Sequence, residues 1–188
     1  MQNVIIYLIG FAGAGKYTIA QELAKLEPFT IADNHLINNP IFTVVGADGK
    51  TRLSPNIWKE VAKVRHAVYD AITHVAPKTM NFILTNRLAE YDSEDKKIYL
   101  QVEAIAKNRN SHFFPIRILC DKEMIAARIV QEERKFRFKQ IVPEIDEYYE
   151  IFEVLKPDHP CALELDVSSI TAREAADRIL QHVRKHYD

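Results

Sequence analysis

The stretch from Gly10 to Thr18, "GFAGAGKYT", carries the residue types and spacing most suited to chemistry. Two glycines bracket four residues and are followed by lysine, the pattern G-x-x-x-x-G-K-[ST] that wraps backbone N–H groups around a phosphate. Gly10, Gly15 and Lys16 fit it, Gly13 and Ala14 keep the loop small, and Thr18 lies just beyond. The lysine brings a full positive charge to the outer phosphates of a nucleotide. Tyr17 breaks the pattern, because a phenol stands where a short hydroxyl would ligate magnesium.

Such a loop works only between a buried strand and a helix, whose N-terminus adds partial positive charge. "VIIYLI" (Val4 to Ile9) precedes it, and a helix is predicted from Lys16 to Lys25. Four more apolar runs read as buried strands: Phe29 to Ala32, Phe82 to Thr85, Ile116 to Cys120 and Cys161 to Leu165. Helical segments separate them. Ser54 and Pro55 supply a cap and first-turn proline for one, whose Ile57, Val61, Val64, Val68, Ile72 and Val75 recur at helical spacing. Others are predicted from Ser93 to Lys107, after Asp121, and from the capping box Thr171-x-x-Glu174, which should bury Ala175, Ile179 and Val183. This alternation predicts an α/β fold, a five-stranded parallel sheet with helices on both faces.

Composition bounds the rest. A chain of 188 residues, 47% hydrophobic and 27% charged, suits one globular α/β domain with inserted segments. Its formal charge of -1 argues against a dedicated nucleic-acid binder. The apolar runs fall well short of the roughly 20 residues of a membrane helix, and the first residues lack a signal-peptide pattern, so a cytoplasmic protein is expected. Cys120 and Cys161 lie in separate apolar runs and read as buried free thiols.

With "GFAGAGKYT" following a strand and opening a helix, the chain resembles the P-loop kinases of the nucleoside-monophosphate, shikimate and gluconate kinase type, over its whole length through the order of elements. The resemblance implies one domain over residues 1–188, with an acceptor-side flap at 33–55 and a lid at 128–160. It implies an ATP-dependent phosphotransferase acting on a small-molecule hydroxyl, with ATP and Mg²⁺ as cofactors and neither nucleic acid nor membrane as partner. ATP would lie over Gly10, Gly13, Ala14, Gly15, Lys16, Tyr17 and Thr18. Given Tyr17, three routes stay open: Mg²⁺ held by phosphates, water and a carboxylate; nucleotide binding without turnover, as in a regulatory module; or Tyr17 stacking on a ligand.

Asp33 follows the second strand and should point into the crevice at the sheet's carboxyl end. In shikimate- and gluconate-kinase-like proteins an aspartate here contacts the acceptor hydroxyl and helps organise magnesium; Asp33 matches that place, although a local turn with Asn34 would also use an aspartate. The third strand ends in Thr85, Asn86 and Arg87, with no Walker B carboxylate. Arg87, and Arg65 opposite the helix's apolar stripe, could anchor an anionic acceptor or be solvated. By position, Arg128 would pack against adenine and Arg134 would close on the transferring phosphoryl group, with Arg137 a further candidate. Arg128 and Glu132 could equally form a helix-surface pair. The resemblance puts the adenine edge near Asp166 to Ser169. No metal is assigned to His182 and His186. Without a shikimate-type glycine pair after the third strand, the acceptors left open are a nucleoside monophosphate, a sugar acid or an antibiotic hydroxyl.

Overall fold

The computed structural model describes residues 1–48, 51–129 and 152–187. Five strands, β1 Val4–Gly10, β2 Phe29–Asp33, β3 Asn81–Asn86, β4 His112–Leu119 and β5 Leu163–Asp166, form one sheet in the order β2-β3-β1-β4-β5. Every pairing is parallel. β1 is central and wholly buried, which suits its unbroken apolar run.

Helices α1 Lys16–Leu26, α2 Asn34–Val44, α3 Pro55–Asp70, α4 Ser93–Arg109, α5 Lys122–Ile129 and α6 Ala172–Lys185 connect or follow the strands. Right-handed crossovers put α3 and α4 on the face opposite α1, against which α6 packs. α1 ends where Glu27, forced into extended backbone by Pro28, donates its N–H to the Leu23 carbonyl at 3.1 Å. α6 opens with the expected reciprocal box: Glu174 N–H donates to Thr171 Oγ1 at 3.1 Å, and Thr171 N–H to Glu174 Oε2 at 2.7 Å. Ala175, Ile179 and Val183 are buried as the periodicity requires.

Four expectations need adjustment. The fourth strand begins at His112 rather than Ile116 and ends at Leu119. Pro115 hid its start, yet β5 pairs only from Ile116, so the proline lies where β4 is still an edge. The fifth runs from Leu163 rather than Cys161, which leaves Cys161 half-buried, whereas Cys120 is buried as expected; the two form no disulfide. The polar stretch after Asp33 opens as helix α2, with Pro40 inside it. Finally, the α3 stripe breaks at its end: residues Ala71–Val75 form a π turn, and the extra residue rotates Val75 out to 79% exposure. Ser54 sits at the N-cap of α3 but makes no side-chain capping bond.

The π turn has a dedicated partner. Arg109, 2% exposed at the end of α4, donates to the carbonyls of Ile72, Ala76 (3.2 Å) and Pro77 (2.8 Å), and its guanidinium lies 5.1 Å from the Phe82 ring centroid. A buried cation here satisfies carbonyls that the helix ladder leaves over.

Candidate active site

The carboxyl ends of β1, β2 and β3 lie side by side, with Leu8, Thr85 and Asp33 in register across the strands. Gly10 closes β1 against β4. A Cβ on it would stand 2.8 Å from the Ile118 carbonyl oxygen, so only glycine lets the chain leave the sheet here. Gly13 (φ 97°) and Gly15 (φ 84°) then turn the loop through left-handed backbone into α1. Gly15 is the N-cap and offers no side chain to cap α1, whose first turn also lacks acidic residues. Its N–H groups thus suit a phosphate. Lys16 Nζ donates to the carbonyls of Gly10 and Phe11, both at 2.8 Å, which keeps the ammonium against the start of the loop. Tyr17 is half-buried and Thr18 exposed.

Asp33 is 8% exposed and serves as N-cap of α2, accepting from His35 N–H at 3.3 Å through Oδ2. Its Oδ1 accepts a short hydrogen bond from the Thr85 hydroxyl, which itself accepts from Asn34 N–H at 3.2 Å. One residue further along β3, Asn86 donates to Asn34 Oδ1 at 3.1 Å and accepts from the Tyr7 hydroxyl at 3.1 Å. The local turn weighed for Asp33 therefore exists and also fixes the carboxylate beside the crevice.

Behind Asn86 lies a buried group of tyrosines. Tyr7 stacks on Tyr99 with centroids 6.1 Å apart. Burial pushes the Tyr7 phenol well above its ordinary pKa, helped by Tyr69 and opposed by Arg65. Tyr69 is pushed up to about 12 by burial, again against Arg65. Arg65 is half-buried, with Nε enclosed. Its charge favours ionisation of the Tyr7 and Tyr69 phenols, against the effect of burial.

Arg87 continues from β3. Its guanidinium carbon lies 4.2 Å from the centroid of Phe152, which meets Phe11 of the glycine loop edge-on at 5.1 Å. Burial lowers the Arg87 pKa, while Asp95 and Asp92 oppose that shift. Phe152 is held because the chain after it is strapped to the residues following β3. Glu90 N–H donates to the Glu153 carbonyl at 2.8 Å, and Leu155 N–H to the Leu88 carbonyl at 2.9 Å.

Among the sequence candidates, Gly10 to Thr18 follow the carboxyl end of β1 and Asp33 ends β2, with β3 between the two strands. Asp166 ends β5, the edge strand on the other side of the same sheet. Its carboxylate accepts from Ser168 N–H (2.8 Å) and Oγ (2.6 Å), and both bonds lower its pKa. Ser168 Oγ accepts in turn from Asp121 N–H at 2.8 Å, so this carboxylate shapes the loop before α6. His182 Nε2 sits 3.0 Å from the Cys161 carbonyl and acts within the fold. Arg128 is on α5, while Arg134 and Arg137 lie outside the described residues. Sequence reasoning missed Thr85, Asn86, Tyr7 and Phe152 as parts of the site, because strand register and ring contacts join residues far apart in the chain.

No family model matches the chain, and no curated protein matches it in sequence. Solved structures do. A Chloroflexus aurantiacus protein classed provisionally as a kinase is 15% identical, with 98% of each chain covered and a TM-score of 0.69. A sugar kinase from Janibacter sp. HTCC2649 is 14% identical over 97% of this chain and 95% of its own, with a TM-score of 0.66. A gluconokinase from Sinorhizobium meliloti 1021 is 11% identical over 97% and 93%, with a TM-score of 0.60. The fold is that of the P-loop kinases, a five-stranded parallel sheet flanked by helices. Among the described residues no helix is long and apolar enough to cross a membrane.

Proposed function

We propose that the protein is an ATP-dependent phosphotransferase that moves the γ-phosphoryl group to a hydroxyl of a small molecule. The observation that carries this reading is the carboxylate of Asp33, held by the Thr85 hydroxyl at the same edge of the sheet from which the glycine loop leaves β1. In the transfer, the acceptor oxygen forms a bond to the γ phosphorus, its proton passes to the Asp33 carboxylate, and the β–γ bridging bond breaks to release ADP. Lys16 and the first-turn N–H groups of α1 neutralise charge on the phosphates, the main protein contribution to such a step. Arg134 is assigned a similar role and Arg128 the adenine face, both by position.

The donor set fits a magnesium ion held mostly by phosphates and water. Asp33 offers a hard carboxylate oxygen, while Tyr17 lacks the short hydroxyl of the usual loop. When bound, Mg²⁺ offsets charge on the β and γ oxygens, and Asp33 would be its protein ligand. A second reading, a nucleotide-binding module without turnover, is favoured by Tyr17.

Calorimetric titration of ATP, with Mg²⁺ or EDTA, into wild type, Lys16→Ala and Asp33→Asn separates the two. A kinase requires Mg²⁺-dependent binding that Lys16→Ala abolishes. Labelled ATP with pooled metabolites should then show transfer that Asp33→Asn reduces at least a hundredfold. Binding indifferent to EDTA, with no transfer, would establish the second reading instead.

A further inference from the structure

Residues 152–156 form a strap fastened to two parts of the sheet. Toward β3, Ala89 bridges Val154 in antiparallel register, flanked by the Glu90 to Glu153 and Leu155 to Leu88 backbone bonds. Lys156 N–H donates to Glu90 Oε2 at 2.7 Å, and the Tyr91 hydroxyl to Glu153 Oε2 at 2.6 Å. Toward β4, Arg117 Nε donates to the Val154 carbonyl at 3.1 Å, and its guanidinium stands 3.7 Å from the Glu153 carboxylate. Val154 and Leu155 are buried. A backbone held this way gives the side chain at its head a fixed place, and that side chain is Phe152.

Phe152 touches the glycine loop at the residue that shapes it. Its ring meets Phe11 with centroids 5.1 Å apart and planes at 84°, while the Arg87 guanidinium carbon lies 4.2 Å from its centroid. Both are arrangements the charge distribution of an aromatic ring favours. Phe11 is 3% exposed, and its carbonyl accepts from Ala14 N–H at 3.2 Å and from Lys16 Nζ at 2.8 Å. The place of this one carbonyl therefore sets both the turn through Gly13 and the position of the ammonium. Between Gly10 and Lys16 the other residues are glycine or alanine, so Phe11 is the large side chain by which the loop can be gripped. Glycines give the loop its turns but not rigidity, and ordering it only when a ligand arrives costs affinity.

We infer that Phe152 is a positioning residue for phosphate binding: through Phe11 it holds the loop turn and Lys16 in the arrangement that receives the phosphates. Arg87 backs the ring from β3, and the strap ties it to Arg117 on β4, so the loop that leaves β1 is braced from the strands on either side. The inference rests on the reading of the glycine loop as a phosphate site and does not depend on phosphoryl transfer.

Inorganic tripolyphosphate with Mg²⁺ is titrated calorimetrically into the full chain; having no base, it reports on the loop rather than on an adenine pocket. Phe152→Leu, which keeps apolar bulk but not the ring, is expected to raise Kd about tenfold, and Phe152→Tyr to restore it to within about threefold. Phe11→Leu should weaken binding to a similar degree, and in the double variant the two losses should not add, as for residues acting through one contact. Amide resonances of Gly13 and Gly15 in the ligand-free chain should shift in Phe152→Leu. Ile105→Val, a truncation in the core at α4, lowers stability away from the loop and should leave Kd unchanged, which separates positioning from a general loss of stability. Wild-type Kd in Phe152→Leu, or losses that add in full, overturns the inference. Failure of the wild type to bind tripolyphosphate overturns it together with the phosphate-site reading. Binding that depends on Phe152, in a chain that transfers no phosphate from ATP to pooled metabolites, rejects the kinase and retains the positioning role.

Discussion

Among the described residues, Asp33 is oriented by a hydroxyl and a backbone N–H. Thr85 donates to its Oδ1 and accepts from the next backbone N–H, so one side chain fixes both the carboxylate and the first turn of α2. Thr85→Val removes both bonds while keeping the volume. It should lower phosphoryl transfer at least tenfold, leave ATP affinity within about twofold because the glycine loop is untouched, and speed hydrogen exchange at Asn34. Thr85→Ser should restore all three. Unchanged transfer in the valine variant would show that Thr85 does not position Asp33. Arg87 poses a related question of support, since its guanidinium rests on Phe152, a contact of about 0.5 to 2 kcal/mol depending on desolvation.

At the scale of elements, the sequence disclosed what local chemistry decides and hid what distant pairing decides. The capping box, the buried first strand and the glycine loop are contiguous signals, and each stands where it was expected. α2 was obscured because its N-cap, Asp33, also ends a strand and because Pro40 reads as a breaker, although its 11 residues carry Ile37 and Phe42 into the core. The β4 start was masked by Pro115, whose tolerance depends on where β5 begins pairing. Thr85 and Asn86 looked like a missing carboxylate, because only the β2–β3 register shows them holding Asp33 and Asn34. Arg109 gave no signal at all, since the carbonyls it satisfies belong to a π turn and the two residues after it, more than thirty residues upstream. Arg109→Met would strand them and should destabilise the fold by about 2 to 4 kcal/mol, read from the urea midpoint. A change under about 0.5 kcal/mol, typical of an ordinary surface substitution, would mean the turn does not depend on this cation.

For the molecule as a whole, the tyrosines set an alkaline limit. Tyr69 is pushed up to about 12 in the folded chain, against an ordinary value of 10.0. Below pH 10 both states keep the proton, and the full stability is present. Between pH 10 and 12 the unfolded chain releases its proton while the folded one retains it, so stability falls as pH rises, by on the order of 2 kcal/mol from this group. Thermal midpoints from pH 9 to 12 should fall less steeply in Tyr69→Phe than in wild type. Parallel curves would show that the phenol ionises freely in the folded protein.

The strand order also bears on how the protein is made. β1 is synthesised first, yet its two neighbours are β3 and β4, so a growing chain carries its most apolar strand unpaired until much of the sequence has followed. Such non-local pairing is slow to form, and an unpaired apolar strand is prone to stray association meanwhile. Gly10 meets its partner only at Ile118, so a nascent chain stalled before β4 would contain every residue of the glycine loop without the geometry that makes it a phosphate site.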